Sequence, residues 1–362
     1  MIENLPPIIK NFEGLKSKFG FPLYAYDSER IQSQYHKIRQ AFDRSKLSIH
    51  FACKANSNIQ ILRLLKDLGA EVDVVSVNEG KLAELAGFRP EQIHYTPNGV
   101  QIDEYRVAIK RSYRISVDNL DIIQAISSEN PGKELCIRIN PSVMAGGHHK
   151  ISVGHKRSKF GLPLDQLDEV RQLNENGRIK VTGLHIHTGS DIKDVEAIKK
   201  AALVLMDKAK LFLKHLNFLD FGGGYKVAYH KEDKASDIRS IGDWITKKIA
   251  AFDAKHQTQL SIVIEPGKYL VSEAGFFLAE VNQTKNVYGT SFVYINAGFN
   301  QFIRPMYYDA YHHITNLSNL KGAKKKVDVV GYLCENDNFA QDRFLPEPKA
   351  GDVLCFHNAG AY

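Results

Sequence analysis

The chain is poor in cysteine and tryptophan, with four cysteines and one tryptophan in 362 residues. Cys53, Cys136, Cys334 and Cys355 stand far apart without C-x-x-C spacing, which argues against a zinc ribbon, a redox dithiol or a disulfide framework. Cys53, Cys136 and Cys355 lie in apolar runs and read as buried thiols, whereas Cys334 does not. No uncharged apolar run is long enough to span a bilayer, and Met1 to Lys10 lacks the basic start and apolar stretch of a signal peptide. A cytoplasmic protein without a membrane partner is therefore expected. Dense charge is also missing: the formal net charge of +7 and pI of about 9.0 come from scattered basic residues. The one compact run, Lys324-Lys325-Lys326, reads as a solvated turn, so no nucleic-acid partner is expected, while a small anionic ligand suits the balance.

What is present is a globular pattern, 43% hydrophobic and 25% charged, enough for one large domain plus a smaller one. Short β-rich runs recur at His50 to Lys54, Glu71 to Ser76, Ile93 to Pro97, Arg114 to Asp118 and Leu135 to Asn140. Val181 to His187, Phe218 to Phe221 and Ser261 to Glu265 follow at wider intervals. Helix-period segments lie between them, among them Ile59 to Leu68, Ala201 to Leu216 and Ile241 to Phe252, the last carrying Trp244 on its apolar face. About eight strand-helix units predict an α/β chain with a closed parallel (β/α)8 TIM-type barrel over 25–270. Beyond Glu265, strand-like runs at Tyr269 to Leu278, Phe292 to Ile295, Val327 to Leu333 and Val353 to His357 predict a second, β-rich, barrel-like domain. It takes 271–362 together with 1–24. The stretch from Asn140 to Phe160 carries no helical pattern and reads as a mobile cover over the active-site end.

Catalytic residues of parallel barrels project from the C-terminal ends of strands, and unusual residues collect at those ends here. Lys54 closes the first run; a lysine desolvated there loses its proton more easily and becomes a nucleophile toward an aldehyde, the alternative being a stem that snorkels to water. Gly222, Gly223 and Gly224 end the seventh run and suit either a phosphate nest or a flexible turn, with Ser190, Gly267 and Lys268 as further donors. Glu265 ends an apolar run and needs a cationic partner, either a protonated pyridine nitrogen or a neighbouring lysine. His185 and His187 share a strand face; without further histidines at other strand ends no metal centre is expected, and a ring stacked on an aromatic cofactor is favoured for His187.

In order along the chain, Phe51-Ala52-Cys53-Lys54-Ala55-Asn56, His185-Ile186-His187-Thr188-Gly189-Ser190, Gly222-Gly223-Gly224, Glu265-Pro266-Gly267 and Cys334-Glu335 resemble the alanine-racemase-type pyridoxal phosphate decarboxylases. His149 to Ser152, Ser158 to Gly161, Arg304 to His312 and the ending Asn358-Ala359-Gly360-Ala361-Tyr362 are similar to the diaminopimelate decarboxylase branch. That resemblance implies a pyridoxal 5'-phosphate carboxy-lyase that converts meso-2,6-diaminopimelate to L-lysine and CO2, the last step of lysine biosynthesis. A decarboxylase of carboxynorspermidine or another basic amino acid is the alternative on the same fold. It further implies a Schiff-base role for Lys54, with His187 on the ring and Glu265 at the ring nitrogen. Ser190, Gly222, Gly223, Gly224 and Gly267 would hold the phosphate, and Asp73 would orient Lys54 or its neighbours. Cys334 is implied as the acid that protonates the carbanion, reaching with Glu335 into a partner subunit, hence a homodimer with shared sites. Glu335 suits the substrate's distal ammonium, and Arg304 with Tyr308 its distal carboxylate. Tyr362 would touch cofactor and substrate. Lys268, at a cofactor- and substrate-contact position, stands where the family commonly has arginine, and Asn336 where it commonly has serine. The β-rich domain is expected to be C-terminally incomplete, the family continuing for roughly another forty residues.

Overall fold

The computed structural model describes residues 5–42, 46–143, 154, 158–192, 194–230 and 232–362. The stretch read as a cover falls mostly on 144–153 and 155–157, outside the described residues. The chain divides into two compact units, one of Gln32–Val227 with Lys234–Tyr269, the other of Met1–Ile31, Ala228–Asp233 and Leu270–Tyr362.

Strand β1 (Leu23–Tyr26) belongs to the second unit. In the first unit, β2 (Leu47–Ala52), β3 (Glu71–Val74), β4 (Ile93–Tyr95), β5 (Arg114–Val117), β6 (Lys133–Arg138), β7 (Ile179–His185), β8 (Phe218–Asp220) and β9 (Ser261–Ile264) pair in sequence order as parallel neighbours. Pairing of β2 with β9, Leu47 opposite Ile262 and Ile49 opposite Ile264, closes the barrel. The eight-stranded parallel barrel matches the rhythm of the β-rich runs. Its strands are buried over most of their length because helices cover the outside and side chains fill the inside. Gly183 on β7 is required by this packing, since a Cβ there would lie 2.1 Å from the Phe218 ring.

The connecting helices start where a polar side chain takes an orphan backbone N–H: Asn58 caps Ile59–Asp67, Ser76 caps Val77–Ala86 and Asn119 caps Leu120–Glu129. Two helices depart from their predicted register. The segment read as Ala201 to Leu216 is helical over Val195–Ala209, because Asp194 supplies an earlier cap. In Ile238–His256 the buried stripe is Ile241, Ile245, Ile249 and Phe252. Trp244 lies beside that stripe, half-buried, with the ammonium groups of Lys199 and Lys248 over its ring.

In the second unit β10 (Gly275–Val287), β11 (Thr290–Ile295), β12 (Ile314–Asn316), β13 (Lys324–Val330), β14 (Asn338–Pro346) and β15 (Val353–Phe356) form a mixed, nearly closed barrel in the order β12-β15-β10-β11-β13-β14, with β1 added to β10. Among the described residues of this unit only β11 and β13 pair in parallel, and Phe277, Phe302, Phe339 and Phe356 pack together in the core. Two expectations fail here. Tyr269 to Leu278 is not one strand: Lys268–Val271 is helical, and β10 begins only at Gly275. Lys324-Lys325-Lys326 is no turn but the exposed start of β13, where Lys325 meets Glu347 at 3.0 Å and Lys326 meets Asp342 at 2.7 Å across the ladder. A charge run is compatible with a strand when opposite charges face it on the next strand. Among the described residues no helix is long and apolar enough to cross a membrane.

Candidate active site

Lys54 lies two residues beyond the end of β2, on the short 3-10 turn Cys53–Ala55. Its side chain is 37% exposed, so it is not the desolvated lysine expected from the apolar run; the turn lifts it clear of the strand. An ion pair places it instead. Lys54 Nζ stands 2.7 Å from Asp73 Oδ2, and Asp73 ends up fully buried on β3 with its other oxygen accepting from the Thr96 hydroxyl just past β4. Gly267 packs onto the same turn, and a Cβ at that position would meet the Ala55 Cβ at 2.8 Å.

At the ends of β7, β8 and β9 a second group of charges is closed off from water. His185 Nε2 lies 3.2 Å from Glu265 Oε2, both residues being almost wholly buried. Glu265 Oε1 is buried and has no hydrogen-bond partner among the described residues. Burial works to raise the Glu265 carboxyl, but the His185 ring, with smaller contributions from Lys54 and His187, outweighs it and leaves Glu265 well below the usual carboxylate range. Asp220, at the end of β8, goes the other way: burial and then the charge of Glu265 push it well above. The pair divides one charge between two buried carboxylates, with Glu265 as the anion. His187 is driven down to about 3, first by burial and then by the Arg138 guanidinium. Its Nδ1 accepts the Gly223 backbone N–H at 3.2 Å, so the ring is neutral with its proton on Nε2.

The triple glycine has a structural cause of its own. Gly222 and Gly224 adopt φ of +66° and +89°, and a Cβ on Gly223 would lie 2.1 Å from the Glu265 carbonyl oxygen. Two of its three N–H groups are committed within the protein, Gly222 to Asp220 Oδ1 at 2.8 Å and Gly223 to His187. Among the described residues the Gly224 N–H is the one of the three without such a partner, so a phosphate nest in this loop is left with Gly224. Lys268 is buried and ion-paired with Asp191 at 2.7 Å.

The remaining predicted residues belong to the other unit. Arg304 is buried at the start of the helix Arg304–Tyr308, its guanidinium over the rings of Tyr229 and Tyr308 at 5.5 and 5.6 Å. Arg304 Nη2 donates to Tyr229 Oη at 3.2 Å, while its Nε has no partner among the described residues. Cys334 and Glu335 are exposed on the turn between β13 and β14, which Asp337 shapes by accepting the Leu333 N–H. Tyr362 is exposed at the end of the chain. Tyr229, Arg138 and Asp220 were not singled out from the sequence. Asp220 was open to the rule that found Glu265, a carboxylate ending an apolar strand; the other two sit in no motif.

These residues fit pyridoxal phosphate: a lysine amine at the barrel mouth, a neutral imidazole and, among the described residues, a buried anion with one oxygen unsatisfied and a glycine loop with one N–H uncommitted. Comparison with known proteins decides the matter, for residues 28–272 match the pyridoxal-binding domain of the pyridoxal-dependent decarboxylases. A diaminopimelate decarboxylase of Methanothermobacter thermautotrophicus is 37% identical, over 96% of this chain and 83% of that protein. The chain belongs to the diaminopimelate decarboxylase family. Among solved members, the Helicobacter pylori diaminopimelate decarboxylase complexed with L-lysine superposes with a TM-score of 0.90 at 31% identity, covering 97% of this chain and 89% of that one. The M. jannaschii diaminopimelate decarboxylase in co-complex with L-lysine gives 0.86 at 31%, covering 96% and 84%. As a member of this family the chain is a pyridoxal phosphate-dependent carboxy-lyase.

Proposed function

We propose that the enzyme removes one carboxylate from meso-2,6-diaminopimelate in the cytoplasm, releasing CO2 and L-lysine as the last step of lysine biosynthesis. The Cα–carboxylate bond breaks, its electron pair stays on Cα, and a proton replaces the lost group. Pyridoxal phosphate, when bound, supplies the electron sink for that pair. Lys54 anchors the cofactor and is oriented by Asp73. Glu265 would hold a proton on the pyridine nitrogen, and neutral His187 would lie against the ring without competing for that charge. Ser190, Gly267 and the Gly222–Gly224 loop would take the phosphate, chiefly through the Gly224 N–H. Lys268 and Tyr362 stand by cofactor and substrate, Lys268 as a point charge already shared with Asp191. Cys334 gives its proton to Cα, and Glu335 takes the distal ammonium.

The observation that carries the substrate assignment is Arg304. A guanidinium buried between two tyrosine rings, its Nε without a partner among the described residues, is pre-organised to clamp a planar carboxylate, and Tyr308 adds a hydroxyl. Diaminopimelate has a distal carboxylate; lysine and ornithine do not. Arg304→Ala is expected to lower the preference for diaminopimelate over lysine-like substrates about 10–100-fold, the worth of a charge-assisted hydrogen bond. Relative kcat/KM values that stay unchanged would remove Arg304 from the substrate site.

The exposed thiol of Cys334 supports a homodimer in which each subunit completes its partner's site. Mixing Lys54→Ala and Cys334→Ala subunits, each nearly inactive alone, is then expected to restore about a quarter of wild-type activity, since half of the reassorted dimers hold one intact site of two. Mixtures no more active than their parents would place both residues in one subunit's site.

A further inference from the structure

The barrel interior holds a polar group in which only Asp220 touches the site already described, through Glu265 and the Gly222 N–H. His50 on β2, His94 on β4 and Asp220 on β8 are each 0% exposed. The two histidines present Nδ1 to Nδ1 at 3.3 Å, and Asp220 Oδ2 lies 3.9 Å from His94 Nδ1. One potential ligand atom from each of the three lies within 4.8 Å of the other two. We propose that these three side chains form a binding site for a borderline divalent transition metal such as Zn2+ or Co2+.

Three observations point the same way. First, His50 Nε2 stands 3.2 Å from Glu71 Oε2 and 3.1 Å from Ser48 Oγ. A carboxylate acceptor keeps the ring proton on Nε2, so His50 Nδ1 turns a lone pair toward His94, the arrangement by which a carboxylate orients a metal-binding histidine. Second, two nitrogens bound to one tetrahedral zinc at its usual bond length stand about 3.3 Å apart, which is the separation already present. Asp220 Oδ2, 3.9 Å from His94 Nδ1, closes on them when the metal binds, while Oδ1 keeps the Gly222 N–H at 2.8 Å. Third, Asp220 Oδ2 is buried beside them; the proton that burial keeps on Asp220 leaves when a cation binds, and the cation takes its place as partner of the carboxylate.

A cavity of about 490 Å3, lined by Ser48, Glu71, Cys136 and Phe218 among others, reaches His94, the one of the three ligands that borders it. Two nitrogens and one oxygen select zinc, cobalt or nickel over magnesium or calcium. The site departs from the absence of metal expected from the sequence, where only the His185 and His187 pair was considered. Neither of those residues belongs to it. Nothing in the sequence flags it, because His50 and His94 stand in different strands and meet only through closure of the barrel.

The test uses the enzyme with its cofactor bound, stripped with a chelator and titrated with Co2+. About one Co2+ per chain is expected, with the intense visible absorption of tetrahedral cobalt and displacement by Zn2+. His50→Gln and His94→Gln should abolish it, Glu71→Gln should weaken it about 10–100-fold, and His185→Gln, which would disrupt the neighbouring His185, Asp220 and Glu265 group, should leave it intact. Failure of the wild type to take up stoichiometric Co2+, or uptake that survives both histidine variants, overturns the proposal. Should those variants not fold, X-ray absorption of the wild-type Co2+ form decides: a nitrogen and oxygen shell with two imidazoles supports the site, and a sulfur ligand moves the ion to a cysteine.

Discussion

Replacing Lys54 by alanine is expected to lower decarboxylation by about 10^4-fold, at the upper end for loss of a positioned group that also moves protons, and to end borohydride-stable incorporation of pyridoxal phosphate. The reason is the placement of Nζ. The 3-10 turn after β2 carries the amine past the barrel wall, and Asp73, itself fixed by Thr96, holds it at 2.7 Å. Alanine also strands a fully buried carboxylate, so loss of activity alone does not separate chemistry from misfolding. Lys54→Arg does separate them: the guanidinium keeps the pairing with Asp73 but cannot form a Schiff base. Both variants should be inactive, and the arginine variant should unfold at the wild-type midpoint. Peptide mapping that finds the reduced cofactor on another lysine, or an arginine variant that retains activity, sinks the assignment.

Much of the barrel was readable because each strand is a short apolar run buried on both faces, and because parallel pairing forces a helix and a turn between runs. The strand ends were readable for the complementary reason that a lysine, a glycine run or a glutamate breaks an apolar run abruptly. What the sequence hid is whatever depends on partners distant along the chain. Lys54 reads as desolvated until the turn that exposes it is known. The Gly222 and Gly223 N–H groups read as ligand donors until Asp220 and His187 are seen to occupy them. Lys324 to Lys326 reads as a turn until Asp342 on β14 and Glu347 just past its end come up to meet it. Tyr229 lies 75 residues from Arg304 in a short segment without motif, yet it supplies the hydroxyl beside that guanidinium. The pairing of His185 with Glu265 is a case between, since both ends were noted and only their meeting was not.

Glu265→Gln is expected to reduce kcat about 10²–10³-fold with little change in KM, the cost of removing one pre-organised electrostatic contact from where charge develops. Glutamine keeps the shape and the approach to His185 but carries no charge to hold a proton on the pyridine nitrogen. Asp220 is the obvious substitute anion, and its geometry limits it. Its Oδ1 is tied to the Gly222 N–H at 2.8 Å, and burial, which stays in the variant, is the larger of the forces keeping it protonated. The pH profile sharpens the test. The Glu265 pKa is depressed in the folded protein, so the carboxylate stays charged at all pH values above that depressed range. An acid limb of kcat/KM in the ordinary carboxylate range therefore does not arise from Glu265, and such a limb, if present in the wild type, should persist in the glutamine variant. A variant with wild-type kcat would show that the ring nitrogen needs no anionic partner here. A limb that vanishes on substitution would show that Glu265 titrates as an ordinary carboxylate, against the burial and the His185 contact that set it.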